Sequence, residues 1–194
     1  MEREEIKHNE ALSVDFSTQL RLDSNCEHVE SSIFSWLQIV AAQVAKGDVG
    51  PLGAIIVLGD FDKFGPRIDG MVQMKPKQNP IESFLLIDTE DSDRYIKKFS
   101  QAPYDGAIVV NKTGQIIGAG IYLVIEDPTL DIPDDCGTRH KAAASFSLRN
   151  DVKSVLTISE ETNIVRIWKD GQVQKAHRVD DQEDDRVKNG EKKE

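Results

Sequence analysis

The chain has 194 residues, 39% hydrophobic, 30% charged and 6% aromatic, which suffices for one domain with a real core and is too short for two ordinary ones. Lys and Arg total 24 against 34 Asp and Glu, and a net charge of −10 argues against non-specific binding to DNA, RNA or anionic lipid. No apolar run approaches the ~18 residues of a membrane span, the opening MEREEIKHNE is too polar for a secretory signal, and Cys26 and Cys136 make neither a disulfide framework nor a zinc site, so the expected setting is cytoplasmic with reduced thiols.

Residues 1–28 carry scattered charges and a short alternation of Leu12, Val14 and Phe16 with the look of a strand; they are expected to form a loosely attached arm, with a regulatory segment as the alternative. Val29, Ile33, Phe34, Trp36, Leu37, Val40, Ala41 and Val44 then fall at helical spacing, and Gly47 ends that helix. Leu52 to Leu58 is a nearly continuous apolar run bounded by glycines, which suits a strand covered on both faces. Residues 59–80 read mostly as loop, Phe84 to Ile87 as a short strand or helical turn, and Ser92 to Ser100 as a short helix.

The second half is more legible. Ala107 to Val110 is a strand, Asn111 to Gly114 a tight turn, and Gln115 to Ile125 the return strand. An acidic loop, residues 126–136, precedes a helix opened by Gly137-Thr138 and running to about Leu148. Val152 to Ile158 and Ile164 to Trp168 are strands joined by Ser159 to Thr162, and Asp170-Gly171 reads as a hairpin turn. From Arg178 the tail holds seven acids, five bases and two valines as its only apolar residues, the composition of a disordered segment. The expected fold is α/β, a single globular domain over residues 29–178 with a central mixed β-sheet flanked by helices, followed by a charged tail over 179–194.

Three segments at the edges of regular elements carry candidate chemistry. Gly137-Thr138 opens a helix, where free N–H groups and the dipole favour an anion; Thr138 can cap the helix or touch that anion. Arg139, His140 and Lys141 crowd three potential cations into this first turn, which calls for a compensating negative group such as a phosphate chain; the plainer alternative is a Thr cap with solvated charges behind it. Asp105, before Gly106 and Ala107, can bind Mg²⁺ or Mn²⁺ or orient a hydroxyl nucleophile, or is simply an Asp-Gly turn. Ser159-Glu160-Glu161-Thr162 supplies a carboxylate that could join Asp105 at a metal, or is an ordinary polar turn. His8, His28 and His177 have no partners at metal-ligand spacing. The acidic loop reads as solvated, with a metal-attracting role as the alternative.

In combination and in this order, Asp105–Ala107, Gly137–Lys141 and Ser159–Glu161 resemble the motifs of the diadenylate cyclase (DAC) domain family, over about Pro51 to Trp168. GPLGAIIVLGD and Asn79-Pro80 look like its soluble archaeal-type branch. The resemblance implies condensation of two ATP molecules into cyclic di-AMP and two pyrophosphates, by two copies of the chain facing each other and with Mg²⁺ or Mn²⁺ as cofactor. It implies that Asp105 helps hold the metal and direct the attacking 3′-hydroxyl, with Glu160 completing the metal or catalytic site. Thr138, Arg139 and His140 would contact the triphosphate, with Gly137, Lys141 and Ser159 beside them. Gly106 and Ala107 would approach the nucleotide through their backbone, and Tyr122 and Leu123 would line the adenine pocket. Lys141 departs from the family's usual arginine, keeping the charge and losing the bidentate fork. Neither DNA nor a membrane is an expected partner. An ATP or cyclic-dinucleotide binding module without turnover is the competing reading.

Overall fold

The computed structural model describes residues 11–61, 70–74, 85–86, 94, 96–98, 100, 105–125 and 129–179. Residues 1–10 of the expected arm, 180–194 of the expected tail, 126–128 of the acidic loop and parts of the segments expected over 59–80, 81–87 and 92–100 lie outside the described residues.

One mixed sheet organises the chain. Its strands are β1 (Ala54–Gly59), β2 (Met71–Gln73), β3 (Leu85–Leu86), β4 (Ala107–Asn111), β5 (Gln115–Leu123), β6 (Val152–Ile158), β7 (Val165–Lys169) and β8 (Gln172–His177). The order is β2-β5-β4-β1-β6-β7-β8, with β3 also paired to β5. β1 lies parallel to β4 and antiparallel to β6, and every other pairing is antiparallel. β1 is buried along its whole length, as its unbroken apolar run requires. Ala54, Ile56 and Leu58 enter one core cluster and Ile55 and Val57 the other, the alternation that the pleat imposes.

Helix α1 (Ala11–Lys46) covers the first face, where Val29, Ile33, Phe34, Leu37, Val40 and Ala41 are buried. Two polar ties add to that contact: Lys169 Nζ lies 2.9 Å from Glu30, and Lys175 sits 4.4 Å above the Phe34 ring. Gly47, at φ +78°, closes the helix. Its amide donates to the Val44 carbonyl and the Asp48 amide to that of Gln43, the paired bonds of a Schellman end. Leu12–Phe16 lie within this helix, so the strand expected there is corrected. The segment holds no Gly or Pro, and Leu12, Phe16 and Leu20 fall at i, i+4 and i+8, a periodicity that outlasts the brief alternation.

Helix α2 (Thr138–Phe146) covers the opposite face, burying His140, Ala143, Ala144 and Phe146 against Val57, Val109, Val155 and Trp168. Residues 96–98 are helical within the span expected to be so, and Leu85–Leu86 are a strand. β2 is a strand in a stretch expected to be loop; Met71, Val72 and Gln73 pair with Leu123, Tyr122 and Ile121, and Gln73 Nε2 donates to the Ala119 and Gly120 carbonyls. Among the described residues no helix is long and apolar enough to cross a membrane.

Candidate functional site

The sheet's connectivity places the site. β1 and β4 run parallel while β5 and β6 oppose them, so the starts of β1 and β4 and the ends of β5 and β6 share one rim of the sheet. The N-terminus of α2 meets that rim. Between them opens a cleft of about 780 Å³. It is lined by Asp105, Gly106 and Ala107 before and at β4, Tyr122 and Leu123 at the end of β5, Ser159 and Glu160 after β6, and Gly137, Thr138, Arg139 and His140 at α2. Segments more than fifty residues apart in the chain thus share one cavity, and the three motifs singled out above all reach it.

Lys141 does not belong to this set: it is exposed and outside the lining. Thr138 does not cap α2 either. The cap position is Gly137, with extended backbone and no side-chain cap hydrogen bond, so the first-turn N–H groups are not closed off by a side chain. Ser159 has a structural task, since its hydroxyl accepts the Thr162 amide at 3.2 Å and its carbonyl accepts that of Asn163 at 2.9 Å, shaping the turn that presents Glu160 and Glu161. Pro51, Met74 and Ile125 also line it, and no sequence motif pointed to them; Asp135 of the acidic loop and Glu161 of the Ser159–Thr162 turn line it too.

Arg139 and Asp105 face each other across the cleft, with Nη2 3.5 Å from Oδ1. The guanidinium lies against the backbone of Gly53, where a Cβ would overlap Nη1 and come within 2.7 Å of Cζ. Gly106 is equally confined, because a Cβ there would stand 2.8 Å from the Ile121 amide nitrogen of the adjacent strand. Only glycine lets these two surfaces close.

His140 is 5% exposed, its ring centroid 5.9 Å from that of Trp168, and neither ring nitrogen has a hydrogen-bond partner among the described residues. Burial, with the positive charges of Arg166 and Arg139 added, pushes its pKa from 6.5 to about 4 against the weaker pull of Asp135. At neutral pH His140 is therefore an uncharged imidazole with one donor and one acceptor to offer. With Lys141 outside, Arg139 is the one cation among the described lining residues, rather than the three that the motif suggests.

A lowered histidine pKa leaves the unfolded chain binding a proton that the folded chain refuses, so stability falls as pH drops from 6.5 toward 4 and the loss levels off below. The expected loss is on the order of 3 kcal/mol. Urea unfolding at intervals from pH 7 to pH 4 measures it, and His140→Phe should flatten the dependence; an unchanged slope in that variant would show that His140 is not its source.

Among the described residues no three His, Cys, Asp or Glu side chains converge as a metal cage. The cleft does hold the carboxylates of Asp105 and Glu160. Mg²⁺-like cations commonly take one or two carboxylates and complete their shell with substrate phosphates and water, so this donor set fits a cation that arrives with an anionic ligand.

Residues 43–173 match the family described as DisA bacterial checkpoint controller nucleotide-binding (DAC). The chain is 31% identical over 131 residues to a diadenylate cyclase of Haloferax volcanii and 34% identical over 124 residues to one of Methanocaldococcus jannaschii. These matches cover 66% and 63% of this chain but 45% and 37% of the relatives, so the chain spans less than half of their length. A crystal structure described as a hypothetical membrane spanning protein from Bacillus cereus shares the fold, with TM-score 0.52 and 22% identity over 74% of this chain and 61% of the other.

Proposed function

The chain belongs to the DAC family, and from that premise we propose that it is a diadenylate cyclase, condensing two ATP molecules into cyclic di-AMP with release of two pyrophosphates. The observation that carries the reading is the convergence of Asp105, Arg139, His140 and Glu160 in one cleft at an uncapped helix N-terminus.

The division of labour follows from each group's chemistry. The triphosphate lies toward α2, where the N–H groups of the first turn and the Arg139 guanidinium neutralise its charge. His140, neutral, donates or accepts a hydrogen bond without adding charge, which keeps its contribution constant across the physiological pH range. Tyr122 and Leu123 give the adenine an aromatic and an aliphatic wall, and Gly106 and Ala107 let the nucleotide approach the backbone. Asp105 orients the 3′-hydroxyl and accepts its proton. Two 3′-oxygen-to-α-phosphorus bonds form, two bonds from α-phosphorus to the bridging oxygens break, and two pyrophosphates leave. Asp105 and Glu160 would hold Mg²⁺ or Mn²⁺ together with phosphate oxygens, and the cation would supply charge neutralisation at the reacting phosphate. Each 3′-hydroxyl attacks the nucleotide of the facing site, so two copies of the chain act together.

The test incubates the purified chain with ATP and Mg²⁺ or Mn²⁺ and looks for cyclic di-AMP by chromatography and mass spectrometry. Product establishes the cyclase. No product, but thermal stabilisation by ATP, would move the assignment to a binding module without turnover; neither result would overturn both. In the same assay Gly53→Ala should displace Arg139 and raise the KM for ATP about tenfold, the scale of one charge-assisted hydrogen bond, with little change in urea stability. An unchanged KM would show that Arg139 does not bind the phosphates.

A further inference from the structure

Arg166 sits on β7 opposite Thr157 of β6. Its neighbours Val165 and Ile167 point into the core under α1, so its own side chain emerges on the α2 face, beneath the cleft. It is 4% exposed. Its Nη2 pairs with Asp135 Oδ2, while Nη1 is buried with no hydrogen-bond partner among the described residues. Asp135, 31 residues away in the chain, lines the cleft in the turn that leads through Cys136 and Gly137 into α2. Burial opposes ionisation of the Asp135 carboxyl, but the charge and hydrogen bond of Arg166 outweigh it and hold the pKa below its ordinary value.

A buried guanidinium is costly and an apolar residue would fill such a strand position at no such cost, so its presence calls for a use of the charge. We propose that Arg166 is a positioning residue: from beneath the cleft it holds Asp135, and with Asp135 the approach that carries Gly137, Thr138 and Arg139 to the phosphate end. The ligand part of this rests on the nucleotide reading above; the holding part does not. Arg166 does not line the cleft, so it acts through the segment it fixes.

The test uses the full chain in four forms: native, Arg166→Met, Asp135→Ala and the double variant. Methionine keeps most of the volume of the buried stem, and Asp135 is exposed enough for its truncation to leave the core intact. Hydrogen exchange in the ligand-free chain reads the amides of residues 135–139. Calorimetry reads the affinity for 3′-deoxy-ATP, which lacks the attacking hydroxyl and reports binding without turnover. Each single variant should speed exchange in this segment and weaken binding by about tenfold, and the double variant should be no worse than either, the signature of one shared interaction. Native exchange and affinity in Arg166→Met would overturn the proposal, as would additive losses in the double variant. Failure of the native chain to bind 3′-deoxy-ATP would overturn the nucleotide reading, while the exchange data would still decide whether Arg166 holds the segment.

Discussion

Asp105→Asn should lower cyclic di-AMP formation by about 10²–10⁴-fold, the range for losing a positioned proton acceptor. The amide keeps the shape of the carboxylate but takes no proton from a hydroxyl and is a poor ligand for a hard cation. The fold should not notice. Asp105 is well exposed, and its pair with Arg139 at 3.5 Å is of the solvent-screened kind worth less than about 1 kcal/mol. Losing a negative charge beside a triphosphate also removes a repulsion, so metal-free binding of 3′-deoxy-ATP should be unchanged or tighter. Product quantified by mass spectrometry, with urea unfolding alongside, separates these effects. A variant retaining more than a tenth of native turnover would remove Asp105 from the chemistry.

Trp168→Ala is the largest expected loss of stability, about 3–5 kcal/mol out of the ~5–15 that a domain has in total. The side chain is fully buried, packs with Ala143, Ala144 and Phe146 of α2, and its Nε1 donates to Thr157 Oγ1 at 3.0 Å. It also lies beside His140, so truncation takes away the ring on which a cleft residue rests. Trp168→Phe keeps most of the packing and loses the Thr157 bond, for an expected cost of about 1–2 kcal/mol. Urea midpoints measured for both variants decide the point, and an alanine variant as stable as the native chain would show that the core under α2 re-forms without the indole.

Much of this could be read from the residues in order. The apolar run of β1, the β4–β5 hairpin, the last turns of α1 and the start of α2 all carry local signals strong enough to survive packing. The three motifs of the cleft were legible for the same reason: each flanks a regular element whose period is clear. What escaped depends on distant partners. β2 is a strand because the end of β5 offers it a free edge, which Met71-Val72-Gln73 does not announce. His140 reads as a cation in its motif and is held neutral by burial and by Arg166, on a strand some twenty-five residues later. Gly53 lies inside the apolar run read as a strand, and only the folded chain lays a guanidinium on it. Arg166 left one trace, a charge between the β-branched Val165 and Ile167 in the middle of an apolar strand.

The two core clusters touch opposite faces of the same strands, and side chains from one do not reach through to the other. The sheet is in this sense a partition. A change of volume under α1 is met by neighbours such as Leu37 and Ile56, while the wall that supports His140 is built from Val57, Val155 and Trp168 on the far side. Stability can therefore be tuned on one face by substitutions whose effects add independently to those made on the other, and the α1 face can drift in sequence while the chemistry behind it keeps its shape.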